Sequence, residues 1–126
     1  MNPKKYKYTE QHEWVFLESV KVGRIGITDY AQSKLGDIVF LELPSVGTQL
    51  KRFDKIGEIE SLKAVSDIFT PVSGKVLDVN QSVIDDPSIV NSDPYGNGWL
   101  IKFEIGDLPE IDTLMSSEEY DRFTGL

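Results

Sequence analysis

One lysine stands alone among carboxylates in the stretch GEIESLKAVSDIFTPVSGKV. Lys63 follows Glu58 and Glu60 and precedes Asp67. The ordinary interpretation of such a lysine is a solvated ion pair with Glu60 or Asp67. The functional interpretation is a primary amine offered to a modifying enzyme, since acylation of lysine deletes its positive charge. The elements around Lys63 decide between the two interpretations.

The composition excludes several classes of function. The chain has 126 residues with a net charge of -8, which argues against nucleic acid or an anionic membrane as a partner. It has no cysteine and one histidine, His12, so thiolate chemistry is excluded and histidine-based metal sites or triads lose support. A lone histidine beside Trp14 is more often a structural hydrogen-bonding residue than a catalyst.

The patterns also bear on location. No apolar run approaches the ~20 residues needed to cross a membrane. The first residues, MNPKKYKYTEQHEW, are basic but lack the apolar core of a secretory signal. We therefore expect a cytoplasmic protein, or a mitochondrial-matrix protein if the chain is a processed eukaryotic form.

Short strand patterns dominate the chain. Period-two alternation and β-branched or aromatic residues predict strands over the segments 13–18, 22–28, 37–44, 56–61, 65–70, 75–80 and 99–105. In the third of these, Ile38 and Phe40 are predicted on one face, with Val39 and Leu41 on the other. Many short strands separated by turns indicate a sandwich or barrel. No linker interrupts them, so we expect one domain over residues 1–126.

Helical signals are few. Thr28 as an N-cap and Gly36 as a stop predict one short helix between them. The segment 85–98 is predicted to be a loop, with at most a single helical turn at Pro87.

The C-terminal segment has a helical pattern, unlike the strand patterns of the core of about 6–105. A helical tail is predicted over about 108–124, with a capping-box pattern at Ser116 and Glu119. We expect it to dock through Leu114, Tyr120 and Phe123.

Local chemistry does not place a turn at Lys63. Between Ser61 and Val65 there is no Gly, Asn or Pro, the residues that mark tight hairpins. Propensity alone would tolerate a turn of helix there.

Four blocks of residues together resemble the H protein family of the glycine cleavage system. The blocks are HEWV (12–15), GITDYAQSKLGDIVFLELPSVG (26–47), ESLKAVSDIFTPVSGKV (60–76) and NSDPYGNGWL (91–100). They follow one another in unchanged order from about Tyr6 to Phe123. Four blocks in register are far more specific than any one of them.

The resemblance implies both a fold and a site. The fold is mainly β, a sandwich-like hybrid of two antiparallel sheets of the lipoyl/biotinyl-carrier type with short helices and a C-terminal helix. The site is Lys63 of the E-S-x-K-A motif, carrying lipoic acid in amide linkage on a tight hairpin turn. Glu13 and Asp67 are implied by position as cleft acids for the ammonium of the loaded arm. Neither a catalytic residue nor a metal is implied.

The resemblance also implies a carrier rather than an enzyme. It would shuttle the aminomethyl group and reducing equivalents between glycine decarboxylase, aminomethyltransferase and dihydrolipoamide dehydrogenase. A lipoate ligase or octanoyltransferase would attach the arm. An alternative of the same class is a carrier that mainly relays lipoate or octanoate to other lipoyl proteins.

Other classes fit the residues less well. A biotin carrier would place Met on both sides of the modified lysine, where this chain has Leu62 and Ala64. Glu58 and Glu60 share a strand face and could form a hydrolytic acid pair, but nothing on an exposed hairpin would raise a pKa for acid catalysis. An interaction module without a cofactor is a further alternative. Lys75 lacks the motif and is interpreted as a solubility residue.

Overall fold

Two antiparallel sheets make up most of the fold, which confirms the predicted mainly β class. The computed structural model describes residues 2–125. Its strands are β1 (Lys7–Tyr8), β2 (Glu13–Leu17), β3 (Val22–Ile27), β4 (Ile38–Glu42), β5 (Gln49–Leu50), β6 (Lys55–Ser61), β7 (Val65–Phe69), β8 (Gly74–Val79) and β9 (Ile101–Ile105). One sheet has the order β1-β2-β3-β9-β8-β5, and the other has the order β4-β6-β7. The smaller sheet carries the segment that contains Lys63.

Short helices connect the strands. They are α1 (Asp29–Leu35), α2 (Gln81–Asp85), α3 (Ser88–Ser92), a 3₁₀ helix (Leu108–Thr113) and α4 (Ser117–Phe123). Thr28 caps α1 by accepting a hydrogen bond from the N–H of Ala31, as predicted. The Ser116–Glu119 capping box of α4 is also present. In the part of the chain that the structure describes, no helix is long and apolar enough to span a bilayer.

The segment 85–98, predicted as a loop with at most a helical turn at Pro87, holds a five-residue helix directly after Pro87, and the helix before it was not predicted. Helix α2 starts before it and α3 lies within it. The Asn80 side chain caps α2 by accepting from the N–H of Ser82. Each helix has one side chain buried in the core, Val83 on α2 and Val90 on α3. Burial against the sheets therefore stabilises two helices that are too short to be stable alone.

The predicted alternation of faces in β4 is also wrong. Its register with β6 shifts between Ile38 and Phe40. Ile38 and Leu41 are buried, whereas Val39 and Phe40 are about half exposed. An irregularity of this kind puts two residues opposite one and resets the side-chain period.

The core lies between the two sheets. Buried aliphatic side chains come from both, among them Ile25, Ile59 and Ile101. A second cluster of aromatic residues, built on Tyr8, Trp14 and Tyr120, docks α4 onto the larger sheet. Leu114 and Tyr120 are buried as predicted, but Phe123 remains 49% exposed. Its ring only borders those of His12 and Tyr120.

Candidate functional site

Lys63 lies at the tip of the β6–β7 hairpin. Ser61 and Ala64 close the turn through a 2.8 Å bond from the Ser61 N–H to the Ala64 carbonyl. Leu62 and Lys63 are the two residues between them, and both are exposed. Strand pairing continues below the turn from Glu60 opposite Val65. The lysine that stands alone in the sequence therefore lies at the end of the hairpin between β6 and β7.

The backbone N–H groups of this tip are all hydrogen bonded. The Leu62 N–H donates across to the Asp37 carbonyl at 3.0 Å. The N–H groups of Lys63 and Ala64 both donate to the Ser61 hydroxyl oxygen at 3.1 Å. Together with the Ser61 N–H, all four donors of the turn have partners. The backbone is held while the Leu62 and Lys63 side chains are exposed.

Ser61 explains why turn chemistry in the sequence missed this hairpin. Two-residue hairpins usually need a positive φ at the first turn position. Among the described residues other than glycine, only His12 and Phe53 have a positive φ. Here the N–H groups of Lys63 and Ala64 donate to the Ser61 side-chain oxygen, which takes the place of a backbone acceptor inside the turn. The signal in the sequence is a serine, Ser61, two residues before Lys63.

The ion pair of the ordinary interpretation, between Lys63 and Glu60 or Asp67, is not formed. Among residues 2–125, no carboxylate oxygen lies within 4.0 Å of its ammonium nitrogen. The acids nearby bind another lysine, because Lys55 Nζ lies 2.7 Å from Glu58 and 3.3 Å from Asp67. Lys63 therefore keeps a free amine.

The outer face of the smaller sheet carries two rungs of side chains beneath the tip. In the upper rung, Phe40 pairs with Glu60, and Glu60 pairs with Val65. The lower rung is Glu42, Glu58 and Asp67 in the same order. The upper rung, nearest Lys63, thus holds two apolar side chains with Glu60 between them, and the lower rung consists of three acids.

Glu13, the first candidate cleft acid, is buried at the far end of β7. Its side chain is 2% exposed. One carboxylate oxygen accepts from the Thr9 hydroxyl at 2.7 Å, and the other accepts from the Phe69 N–H at 3.2 Å. Burial raises the pKa of Glu13 to about 7 despite these hydrogen bonds.

A groove of about 480 Å³ opens above this carboxylate. Its lining residues are Tyr8, Thr9, Glu10, Gln11, Arg52, Phe53, Phe69, Thr113, Leu114 and Met115. Both hydrogen-bond partners of Glu13 belong to this lining, so Glu13 supports the groove from beneath. The groove lies at the end of β7 opposite to Lys63.

Asp67, the second candidate, lies on the exposed outer face of β7. Its side chain is 47% exposed and contacts Lys55. The structure therefore places Glu13, on β2, against the end of β7 and Asp67 on β7 itself, in unlike environments. Within residues 2–125, no hydrogen bond or shared partner joins the two carboxylates.

His12 has a structural position. Its Nδ1 lies 2.7 Å from the Tyr120 hydroxyl, which in turn lies 2.8 Å from the Thr28 hydroxyl. Burial lowers the pKa of His12. The chain of bonds ties α4 to the start of α1. No cluster of acids and histidines suited to a metal ion occurs in the described range.

Comparisons with known proteins agree with this arrangement. A family description, the glycine cleavage H-protein, matches residues 6–125. The glycine cleavage system H protein of Carboxydothermus hydrogenoformans is 52% identical over 120 residues, covering 95% of this chain and 92% of the relative. That of Thermoanaerobacter sp. is 53% identical over 116 residues, covering 92% and 90%.

A solved structure has the same fold. The crystal structure of a glycine cleavage system H protein from Mycobacterium marinum aligns with a TM-score of 0.88 and 37% sequence identity. The alignment covers 98% of this chain and 99% of that one.

Proposed function

The chain belongs to the glycine cleavage H-protein family, and we propose that Lys63 is the residue through which it carries lipoic acid. The family role is that of the lipoyl carrier in the glycine cleavage system. The names of the relatives favour this role over the alternative of a general lipoate relay. A carrier is moved between other proteins' active sites and needs no active site of its own.

One observation carries the assignment of Lys63. Its amine is exposed and unpaired on a turn whose four backbone donors all have partners. A modifying enzyme must hold the amine close to an activated acyl group, so a stiff backbone lowers the entropy lost on docking. Lys75 contrasts with it, because β8 pairs it with Gln49 on one side and Glu104 on the other. A modifying enzyme cannot surround a lysine that has a neighbouring strand on each side as it can surround one at a hairpin tip.

The residues present fit the lipoyl group. When attached, it supplies a dithiolane that takes up an aminomethyl group and two reducing equivalents. Acylation removes the charge of Lys63, and no carboxylate near the tip loses a partner, since Asp67 and Glu58 already bind Lys55. The fold therefore tolerates both the free and the acylated lysine.

We propose that Glu13 and Asp67 are the acids that stabilise the positively charged, loaded lipoyl arm near β7. A cation leaving water needs carboxylate or carbonyl partners to replace its hydration. Asp67 offers an exposed carboxylate four residues from Lys63, roughly 13 Å along a strand. Glu13 offers a buried one beneath the groove, where water is scarce and a charge-assisted bond is stronger.

The partners follow from the same role. We propose glycine decarboxylase, aminomethyltransferase and dihydrolipoamide dehydrogenase as the enzymes that act on the arm. A lipoate ligase or octanoyltransferase would attach it to Lys63, and the cytoplasm would be the compartment. The upper rung, with Phe40 and Val65 on either side of Glu60, and the acidic lower rung suit partner surfaces with apolar and basic residues.

Lys63→Arg tests the assignment. Arginine keeps an exposed positive charge, so folding and thermal stability should match those of the parent. Arginine cannot form the amide, so intact-mass analysis should find no lipoyl or octanoyl adduct after incubation with a lipoate ligase and its substrates.

Lys75→Arg is the matched control and should be modified like the parent. An adduct on the Lys63→Arg chain would refute the assignment.

A further inference from the structure

The connection between α1 and β4, residues 36–38, lies between the hairpin tip and α3. On the tip side, the Asp37 carbonyl accepts the Leu62 N–H at 3.0 Å. Leu62 directly precedes Lys63. Any movement of this connection is therefore passed to the residue next to the modified lysine.

On the other side, one side chain holds the connection. Asn91 of α3 accepts the Ile38 N–H through its Oδ1 at 3.0 Å and donates to the Gly36 carbonyl through its Nδ2 at 2.9 Å. The same Nδ2 donates to Gln32 Oε1 of α1 at 2.9 Å. Asn91 thus bonds to the residues on both sides of Asp37 and ties this bracketed connection to α1.

The Lys63 side chain itself rests on this connection. A Cβ built at Gly36 would lie 3.3 Å from Lys63 Cε and 3.7 Å from its ammonium nitrogen. Gly36 has a φ of +77°, which favours glycine, so the position stays free of a side chain. The lysine methylenes therefore lie along a bare stretch of backbone whose place is set by Asn91.

We propose that Asn91 is a positioning residue for acylation of Lys63. It acts through the bracketed connection, which fixes the Leu62 amide and the surface under the lysine methylenes. This inference rests on the proposed function of Lys63. Its physical basis is that an acyl-transfer enzyme needs the amine within about 3–3.5 Å of the acyl carbon, so a looser tip is less often in a reactive position.

Asn91→Ala is the direct test, with Asn80→Ala as the matched control. Asn80, like Asn91, makes three hydrogen bonds through its side chain: it accepts from the Ser82 N–H and donates to the carbonyls of Asn97 and Trp99. None of these reaches the connection. The two variants should lose comparable global stability, which makes the difference between them specific to the tip.

The first readout is amide hydrogen exchange of the unmodified full chain, followed by NMR. We expect the Leu62 amide of Asn91→Ala to exchange roughly tenfold faster than in the parent, beyond any change seen for core amides such as Ile59. In Asn80→Ala, Leu62 should change only as much as the core amides do.

The second readout is kcat/KM for acylation of Lys63 by a lipoate ligase. We expect a fall of roughly tenfold in Asn91→Ala and little change in Asn80→Ala. Asn91→Asp adds a near-isosteric variant in case the alanine chain does not fold. Its new carboxylate oxygen would face the Gly36 carbonyl and Gln32 Oε1, so it should resemble Asn91→Ala.

Equal behaviour of the Asn91 and Asn80 variants in both readouts would overturn the inference. Failure of the parent chain to be acylated at Lys63 would instead refute the proposed function. In that event the exchange of the Leu62 amide would still decide whether Asn91 holds the tip.

Discussion

The two ends of β7 both depend on a side-chain oxygen that accepts backbone N–H groups, yet they differ in charge and burial. At the start, the Ser61 hydroxyl accepts from Lys63 and Ala64 beside open solvent. At the end, the Glu13 carboxylate accepts from Phe69 and is 2% exposed. The start of β7 exposes the Lys63 side chain, whereas the end of β7 buries the Glu13 side chain.

The difference teaches how one strand can serve two purposes. A hydroxyl oxygen accepts hydrogen bonds at any ordinary pH, so the tip should keep its geometry as pH changes. A buried carboxylate changes its protonation state as pH changes, so the stability of this end of β7 depends on pH. The predictions below contrast the two ends, from the largest expected effect to the smallest.

The buried end should make stability depend on pH. Burial raises the pKa of Glu13 from 4.5 to about 7, so the folded chain holds this proton more tightly than the unfolded chain. The stabilisation is present in full below about 4.5 and is lost as pH rises through about 7. At about 1.4 kcal/mol per pKa unit, the loss between pH 5 and 8 is about 2–3 kcal/mol.

Urea unfolding of the parent and of Glu13→Gln at pH 5 and pH 8 measures this loss. His12 has a lowered pKa and contributes with the opposite sign, but it is common to both chains. The stability of the parent relative to the variant should therefore fall as pH rises. A constant difference would mean that Glu13 ionises as freely in the fold as in the unfolded chain.

The two ends should also differ in how they hold the loaded arm. A charge-assisted hydrogen bond contributes about 1.5–3 kcal/mol, so Glu13→Gln should shorten the lifetime of the loaded carrier roughly tenfold. Asp67→Asn should shorten it less, by about threefold, because an exposed carboxylate already paired with Lys55 contributes little. Release of ammonia and formaldehyde without the folate-dependent partner measures the lifetime.

Glu104→Gln, an exposed acid on β9, is the control and should leave the lifetime unchanged. Lipoylation of Lys63 should be normal in all three variants. Equal lifetimes in the Glu13 and Asp67 variants and the parent would make both acids structural.

The smallest effect is expected at the tip. Ser61→Ala removes the acceptor of two N–H groups that can turn to water instead, so stability should fall by only about 1 kcal/mol. Acylation of Lys63 should slow by roughly fivefold, equally at pH 6 and pH 8 once the ligase's own pH profile is subtracted.

Ser66→Ala is the matched control, since the Ser66 hydroxyl makes only a 3.5 Å contact with the Asp67 carbonyl. An acylation rate for Ser61→Ala equal to that of the control would show that the hydroxyl does not stiffen the turn.

Much of the local structure was predictable from the sequence. Strand periodicity identified the long strands, and the Thr28 cap and the Ser116–Glu119 capping box marked two helices. The E-S-x-K-A motif singled out Lys63 among the lysines through its family resemblance. These signals act between residues at most four positions apart, so the sequence displays them directly.

The tertiary structure decided what those residues do. At the tip, the Leu62 N–H donates to the Asp37 carbonyl, and Asn91, more than fifty positions away, bonds to Gly36 and Ile38 on either side of Asp37. Glu13 became a buried acid because Phe69, 56 positions later, meets its carboxylate. Burial and long-range hydrogen bonds arise only when the sheets pack, and the free energy that sets each side chain's role comes from that packing.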